Sequence, residues 1–198
     1  MAGTAQTADP VACAAFITLA FTAAGIAQTA WFKSALSERL AIPLDGGRTL
    51  FGRRIFGPNK TWKGFVVMVP ATALAFLALG TLALQAPAIG QRLWALSPAQ
   101  YAGLGLIAGI GFMLGELPNS FVKRQLEIPA GGAPRGLVAR WLAFAVDRLD
   151  SIAGMLLAIA LAVPLRWEAW LLVLCVGPLI HWLFSVALYV LGLKERPA

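Results

Sequence analysis

Two aspartates three residues apart, Asp147 and Asp150, sit in the stretch AVDRLDSIAGM at the start of an apolar run. On a helix that spacing puts both carboxylates on one face and turns Arg148 away from it. Paired carboxylates plus substrate phosphates are what Mg2+ prefers, because the ion takes oxygen ligands and keeps several waters. A helix N-terminus also favours acids through its dipole; that accounts for one aspartate more comfortably than for two at the edge of hydrocarbon. A third acid, Glu116, opens the segment GELPNSFVKRQLEIPAGGAPRG. An acid at the end of an apolar run is costly, so it either serves a site or pairs with a nearby Lys or Arg to hold helices together. Asn119 and Ser120 are read as caps of the following turn, with Lys123 and Arg124 directly after them. The third segment, DGGRTLFGRRIFGPNKTWKGF, sets glycines at 46, 47, 52, 57 and 64 among Arg48, Arg53, Arg54, Lys60 and Lys63. Glycine allows tight turns, and successive free N–H groups can cradle phosphate oxygens. Arg adds forked donors and Lys a mobile point charge. An anchor on anionic headgroups would need this charge but not this glycine spacing.

The missing groups narrow the chemistry. The single histidine, His181, lies within an apolar run and is read as a helix–helix hydrogen-bonding residue, so a Ser-His-Asp set or a histidine nucleophile is disfavoured. Cys13 and Cys175 both fall in apolar runs without a CxxC pattern, which argues against zinc and against a disulfide framework. Cations, glycines and a few acids remain. That inventory suits phosphoryl or nucleotidyl transfer, where positioning and charge neutralisation do most of the catalysis.

The stretch G-E-L-x-N-S-F-V-K-R, followed after a gap by D-R-L-D-S, resembles the signature of the CTP:phosphatidate cytidylyltransferase superfamily. The loop D-G-G-R with F-G-x-N-K-T-W-K-G-F resembles its short archaeal branch, the CDP-archaeol synthases. The likeness covers roughly residues 40–155. It implies that CTP and a lipid phosphate, archaetidic or phosphatidic, give CDP-lipid and pyrophosphate, with Mg2+ as cofactor. It further implies that Glu116, Asp147 and Asp150 hold the metal. Asn59, Lys60, Thr61 and Lys63 would bind CTP. Ser120, Lys123 and Arg124 would hold phosphates. Arg53 and Arg54 would meet the triphosphate or the lipid phosphate, and Asp45 and Gly46 would also bind substrate. Lys60, Lys123, Arg124 and Asp150 are the expected catalytic groups. Glu116 stands where many superfamily members carry Asp, and Leu137–Phe144 is an insert that fits neither branch. Two alternatives stay open: a CTP-dependent polyprenol kinase, and a non-catalytic protein that binds anionic lipid.

These groups must be positioned by membrane helices. The chain is 59% hydrophobic and 13% charged, with a mean hydropathy of +0.76. A soluble domain carries about twice that charged fraction. Spans of roughly 20 apolar residues are needed to cross a bilayer. They are expected at about 10–32, 65–84, 101–117, 152–165 and 169–193, the fourth extended backward through 147–151. The net charge is +7, and fourteen of the 16 Lys and Arg fall in three places: 33–63, 123–148 and the tail with Lys194 and Arg196. Only Arg92 and Arg166 lie elsewhere. Five spans place the three basic segments on one side, the cytoplasmic one, and the N-terminus outside. The basic residues alternate with long apolar runs, so anionic lipid or a phosphorylated substrate replaces nucleic acid as the partner. Gly105/Gly109 and Gly111/Gly115 form GxxxG pairs suited to close packing within the chain or across a dimer. The expectation is therefore one all-α membrane domain over 1–198, whose two basic cytoplasmic loops form the site. No oligomeric state is implied.

Overall fold

The helices begin where the chain supplies caps. In the computed structural model, which describes residues 8–192, Asp9 accepts from the Ala12 N–H at 2.8 Å, and Pro10 presets the first turn of α1 (Pro10–Phe32). Short α2 (Ala35–Arg39) follows, then a two-stranded antiparallel hairpin of β1 (Thr49–Leu50) and β2 (Arg53–Arg54). Next come α3 (Trp62–Gln85), one-turn α4 (Pro87–Gly90) and α5 (Pro98–Gln125). A reciprocal cap opens α5: Ser97 accepts from Gln100 N–H, and the Gln100 side chain accepts from Ser97 N–H. Helices α6 (Leu137–Ala162) and α7 (Trp167–Val190) complete the order. Lys194 and Arg196 lie outside the described residues.

The five long helices close into a ring. Helix α3 packs on α5, α5 on α6, α6 on α7, α7 on α1, and α1 back on α3. Glycine sets the two tightest seams, both along α5. A Cβ on Gly105 would stand 2.6 Å from the Thr72 carbonyl of α3, and one on Gly111 would stand 2.6 Å from the Gly154 carbonyl of α6. The two GxxxG pairs thus serve two different neighbours inside the same chain. At one end of the ring Phe16, Phe76 and Tyr101 pack together, with Phe16 and Phe76 edge-to-face at 5.1 Å. The Tyr101 hydroxyl donates to the Trp94 carbonyl and the Trp94 indole to the Pro164 carbonyl. Arg92 and Asp9 close that end as an ion pair at 3.2 Å.

Outward faces carry large apolar side chains, among them Leu74, Leu161 and Leu179. In water that would be an unpaid cost; against lipid tails it is solvation. Helices α1, α3, α5 and α7 are long and apolar enough to cross a membrane, which makes this an integral membrane protein. The sequence led us to expect about five spans. Helix α6 has the length, but Arg140, Asp147, Arg148 and Asp150 lie within it, so among the described residues four helices qualify.

Three boundaries differ from expectation. Helix α5 does not stop at Leu117 but continues two turns to Gln125, through Pro118. Its 28 residues span about 42 Å, beyond the ~30 Å of hydrocarbon, so the polar end is a helix emerging from the core and not a loop. For the same reason Asn119 and Ser120 cap nothing; they lie inside α5. Helix α6 starts ten residues earlier than the aspartates, so Leu137–Phe144 forms its opening turns. The second half of the expected site is thus carried by the end of α5 and the middle of α6, and not by a loop.

Candidate active site

Side chains from α5, α6 and the loop before α3 converge at the other end of the ring. Lys60, just before α3, donates to Glu116 of α5. Glu116 also receives the Ser151 hydroxyl at 3.1 Å. That hydroxyl lies equally far from Asp150 Oδ1, so its single hydrogen serves one carboxylate at a time. The Ser151 backbone N–H donates to the same Asp150 oxygen at 2.6 Å. Asn119 Nδ2 donates to Asp147 Oδ1 at 2.6 Å and to Asp150 Oδ2 at 2.8 Å. Lys123 donates to that same Oδ1 of Asp147. The result is one continuous chain: Lys60, Glu116, Ser151, Asp150, Asn119, Asp147, Lys123.

Helix geometry explains the convergence. Glu116, Asn119 and Lys123 are spaced by three and four residues, so they share one stripe of α5. Asp147, Asp150 and Ser151 share the facing stripe of α6. Contact between the stripes is possible because Gly115 and Gly154 meet backbone to backbone: a Cβ on Gly115 would lie 3.0 Å from the Gly154 Cα. Arg148 points elsewhere; it is buried, stacked over the Phe144 ring at 3.4 Å, and donates to the Phe144 carbonyl. Burial works against a charge on Lys60, but the Glu116 carboxylate outweighs it, so the ammonium titrates above its usual value and stays charged.

The glycine-rich loop does cradle an anion, and the anion is its own. Asp45 accepts from the backbone N–H groups of Gly47 (3.0 Å), Phe56 (3.0 Å) and Gly57 (2.9 Å) and from Arg54 (2.5 Å). Its side chain is fully enclosed. Burial alone would raise its pKa, but Arg54 and the three amides hold the carboxyl well below the usual carboxylate range. Asp45, expected to touch substrate, instead ties the hairpin to the chain that leads into Lys60. Gly46 and Gly47 take positive φ (56° and 83°), which this tight return requires. Arg53 is likewise engaged, by Glu127 at 2.6 Å and the Gln125 carbonyl at 2.6 Å. Arg124 lies against Gly57 and donates to the Pro129 carbonyl. Ser120 is buried in α5. Of the expected residues, Lys60, Glu116, Lys123, Asp147 and Asp150 come together, while Asp45, Arg53 and Arg54 knit the loop.

Two cavities flank the chain of side chains. One, about 200 Å3, is lined by Asn59, Lys60, Thr61, Lys63 and Glu116, so the expected nucleotide segment faces a common space. The other, about 130 Å3, lies inside the ring and is largely apolar, with Glu116 and His181 in its wall. Both are near the ~150 Å3 of an engineered cavity that admits benzene, and larger than a packing defect. Glu116 borders both. Asn119, expected as a cap, and Ser151, given no role from the sequence, both join this chain of hydrogen bonds; their place three residues after Glu116 and next to Asp150 was the available signal.

The oxygen-only donor set suits Mg2+. Asp147 and Asp150 converge on a single nitrogen of Asn119, so both reach one point, and two carboxylates plus phosphate oxygens form an ordinary Mg2+ environment. Among the described residues no three of His, Cys, Asp or Glu form a ready metal cage, and Glu116 is engaged by Lys60 and Ser151. The fit is thus to a metal carried in with phosphates and not to an all-protein site.

Comparison with known proteins gives a consistent result. The CarS-like family, described as CDP-archaeol synthase, matches residues 33–198. A CDP-archaeol synthase of Halobacterium salinarum is 36% identical over 166 residues, covering 78% of this chain and 82% of its own. One of Thermococcus onnurineus is 30% identical over 165 residues (78% and 82%), and one of Methanopyrus kandleri is 37% identical over 158 residues (78% and 79%). No solved structure matches.

Proposed function

The chain belongs to the CDP-archaeol synthase family, and on that premise we propose that it transfers the cytidylyl group of CTP to an isoprenoid ether lipid phosphate, releasing pyrophosphate, with Mg2+. The family carries CTP-dependent cytidylyl transfer to a lipid phosphate. The observation that supports the rest is the convergence of Lys60, Glu116, Ser151, Asp150, Asn119, Asp147 and Lys123 between a polar and an apolar cavity.

In this reading CTP occupies the polar cavity beside Asn59, Lys60, Thr61 and Lys63. The lipid tail lies towards the apolar cavity, and its phosphate reaches the shared wall at Glu116. An oxygen of the lipid phosphate attacks the α-phosphorus of CTP. A new P–O bond forms, the bond from the α-phosphorus to the bridging oxygen breaks, and that oxygen leaves with the electron pair as pyrophosphate. The nucleophile is already an anion at neutral pH, so no strong base is needed. Mg2+ held by Asp147 and Asp150 would neutralise charge on the phosphates. Lys60 and Lys123 rest on carboxylates, which keeps each cation paired until phosphate oxygens replace its partner. Asn119 fixes the two aspartates relative to one another, and Ser151 links Asp150 to Glu116. The polar face lies on the cytoplasmic side, where CTP is available, and the N-terminus outside.

The test is pyrophosphate release by purified protein supplied with CTP, Mg2+ and lipid phosphates bearing either isoprenoid ether or acyl ester tails. The reading expects pyrophosphate, with the ether lipid preferred. CDP in place of pyrophosphate would turn the protein into a lipid kinase, and no product with any lipid would overturn the enzymatic assignment for these substrates.

A further inference from the structure

Helix α1 precedes the residues that the family description matches, which begin at residue 33. It nevertheless supplies a wall to both cavities through one side chain, Gln28. Only Gln28 and Glu116 border both spaces. Glu116 is an acceptor already engaged by Lys60 and Ser151. Gln28 is a carboxamide with two N–H donors, and among the described residues it has no hydrogen-bond partner. The neighbouring polar group on α1, the Thr29 hydroxyl, donates to the Gly25 carbonyl of its own helix. Gln28 is half-buried where the two cavities meet, so its N–H donors are available to a ligand that accepts hydrogen bonds there.

The chemistry of the substrate says what that is. Resting on the function proposed above, a lipid phosphate must place its phosphate at the Lys60–Glu116 pair and its hydrocarbon in the apolar cavity. The atoms between are the glycerol and its linkage oxygens. Ether oxygens accept hydrogen bonds and donate none, so they need a donor at the junction. Gln28 lies four residues before the end of α1 at Phe32, about 6 Å along the helix, between the apolar cavity and the cavity that Lys60 lines.

We propose that Gln28 is a positioning and specificity residue that donates its amide hydrogens to the glycerol-linkage oxygens of the lipid phosphate, and so sets the lipid's depth against the nucleotide. The experiment compares wild type with Q28L, Q28E and Q28N in mixed micelles, reading initial pyrophosphate release against lipid and against CTP. Q28E keeps the shape of Gln28, removes its N–H donors and adds an ionisable acid, whose repulsion of the phosphate is read separately with an isoprenyl phosphate that has no glycerol oxygens; Q28N keeps the donors on a shorter stem. The expected result is a rise of about five- to tenfold in KM for a di-ether glycerol phosphate in Q28L and Q28E, the worth of one hydrogen bond. Q28N is expected to recover part of it. KM for CTP and kcat should stay within about twofold, and a simple isoprenyl phosphate without glycerol oxygens should not distinguish the variants. Unchanged lipid KM in Q28L and Q28E, or a change in KM for CTP alone, overturns the proposal. Lipid binding without CTP, followed by tryptophan fluorescence, separates the two levels of inference. A wild type that binds lipid but makes no product counts against the proposed reaction, whereas equal lipid affinity in wild type and Q28E counts against Gln28. Should Q28L fail to fold, Q28E supplies the answer.

Discussion

The two amide hydrogens of Asn119 go to two different carboxylates, and that detail separates the acid pair from an ordinary helix cap. A cap would direct Asp147 and Asp150 at backbone N–H groups of the first turn. Here the first turn of α6 is ten residues away, and Asp147 and both sides of the chain around it face α5. The aspartates are therefore held for something other than helix initiation. Asp147→Asn and Asp150→Asn should each lower pyrophosphate release on the order of a hundredfold or more, since even residues that only support a metal ligand cost 10- to 100-fold. Both variants should remain folded in detergent, read by thermal unfolding, and near-wild-type turnover in either would remove the metal assignment. Lys60 makes a different prediction. Its ammonium is held above its usual pKa by Glu116, which outweighs the opposing effect of burial, so it stays charged through the neutral range. Lys60→Ala should thus raise KM for CTP at every pH from about 6 to 9 without adding a new ionisation to the profile. A larger effect on the lipid KM than on the CTP KM would move Lys60 to the other substrate.

Individual residues reach each other only because three elements are built to bring them there. The α5–α6 seam is glycine against glycine, and a Cβ on Gly111 would stand 2.5 Å from the Ala158 Cβ. Gly111→Val should push the helices apart, separate Ser151 and Asp150 from Glu116 and Asn119, and cost both thermal stability and activity, with overpacking worth about 1–3 kcal/mol. Gly103→Ala is the control on the same helix: its Cβ would meet nothing within 4 Å, so activity and midpoint should hold. The hairpin element depends on Asp45 in the same way. Its carboxyl is depressed in the folded protein, against the pull of burial, by Arg54 and three amides. That contribution is fully present above the ordinary value near 3.8 and is lost only as the pH falls through the still lower folded value. Asp45→Asn at pH 7 should cost about 2 kcal/mol, the scale of hydrogen bonds to a charged group, and should speed amide exchange at Gly47, Phe56 and Gly57. Sequence patterning showed the helices, the acid pair and the GxxxG rows, because hydropathy and i,i+3/i+4 spacing are local. It did not show that Asp45 faces inward, since an aspartate that binds a loop's amides and one that waits beside them have the same neighbours in sequence. Nor did it show α5 running to Gln125, because Pro118 and the polar residues after it look like a stop until the helix is seen to outrun the bilayer.

At the scale of the whole molecule, charge and ring geometry must describe the same membrane. The acid–lysine chain lies at the end of the ring where α1 finishes, α3 begins, α5 ends and α6 carries its aspartates. Arg92, with Asp9, lies at the opposite end, where Trp94 and Tyr101 meet Pro164. The basic segment 33–63 and the residues Lys123 and Arg124 therefore share one end of the structure, and the sparse Arg92 marks the other. Because Lys and Arg concentrate on the cytoplasmic side of membrane proteins, the site end should face the cytoplasm. Cysteine labelling checks this directly. In a Cys13→Ser/Cys175→Ser background, a cysteine placed at Arg48 in the exposed hairpin approach should react with a membrane-impermeant thiol reagent only in inside-out vesicles. One at Arg92 should react only in right-side-out vesicles. The same labelling at both positions from one side would mean that the ring does not cross the bilayer as drawn, and reversed labelling would put the site outside. The expected pattern has a further consequence for mechanism. Water-soluble CTP and the lipid phosphate would approach Glu116 from different phases, the nucleotide through the polar cavity and the lipid from within the leaflet, so neither substrate has to leave its own solvent to react.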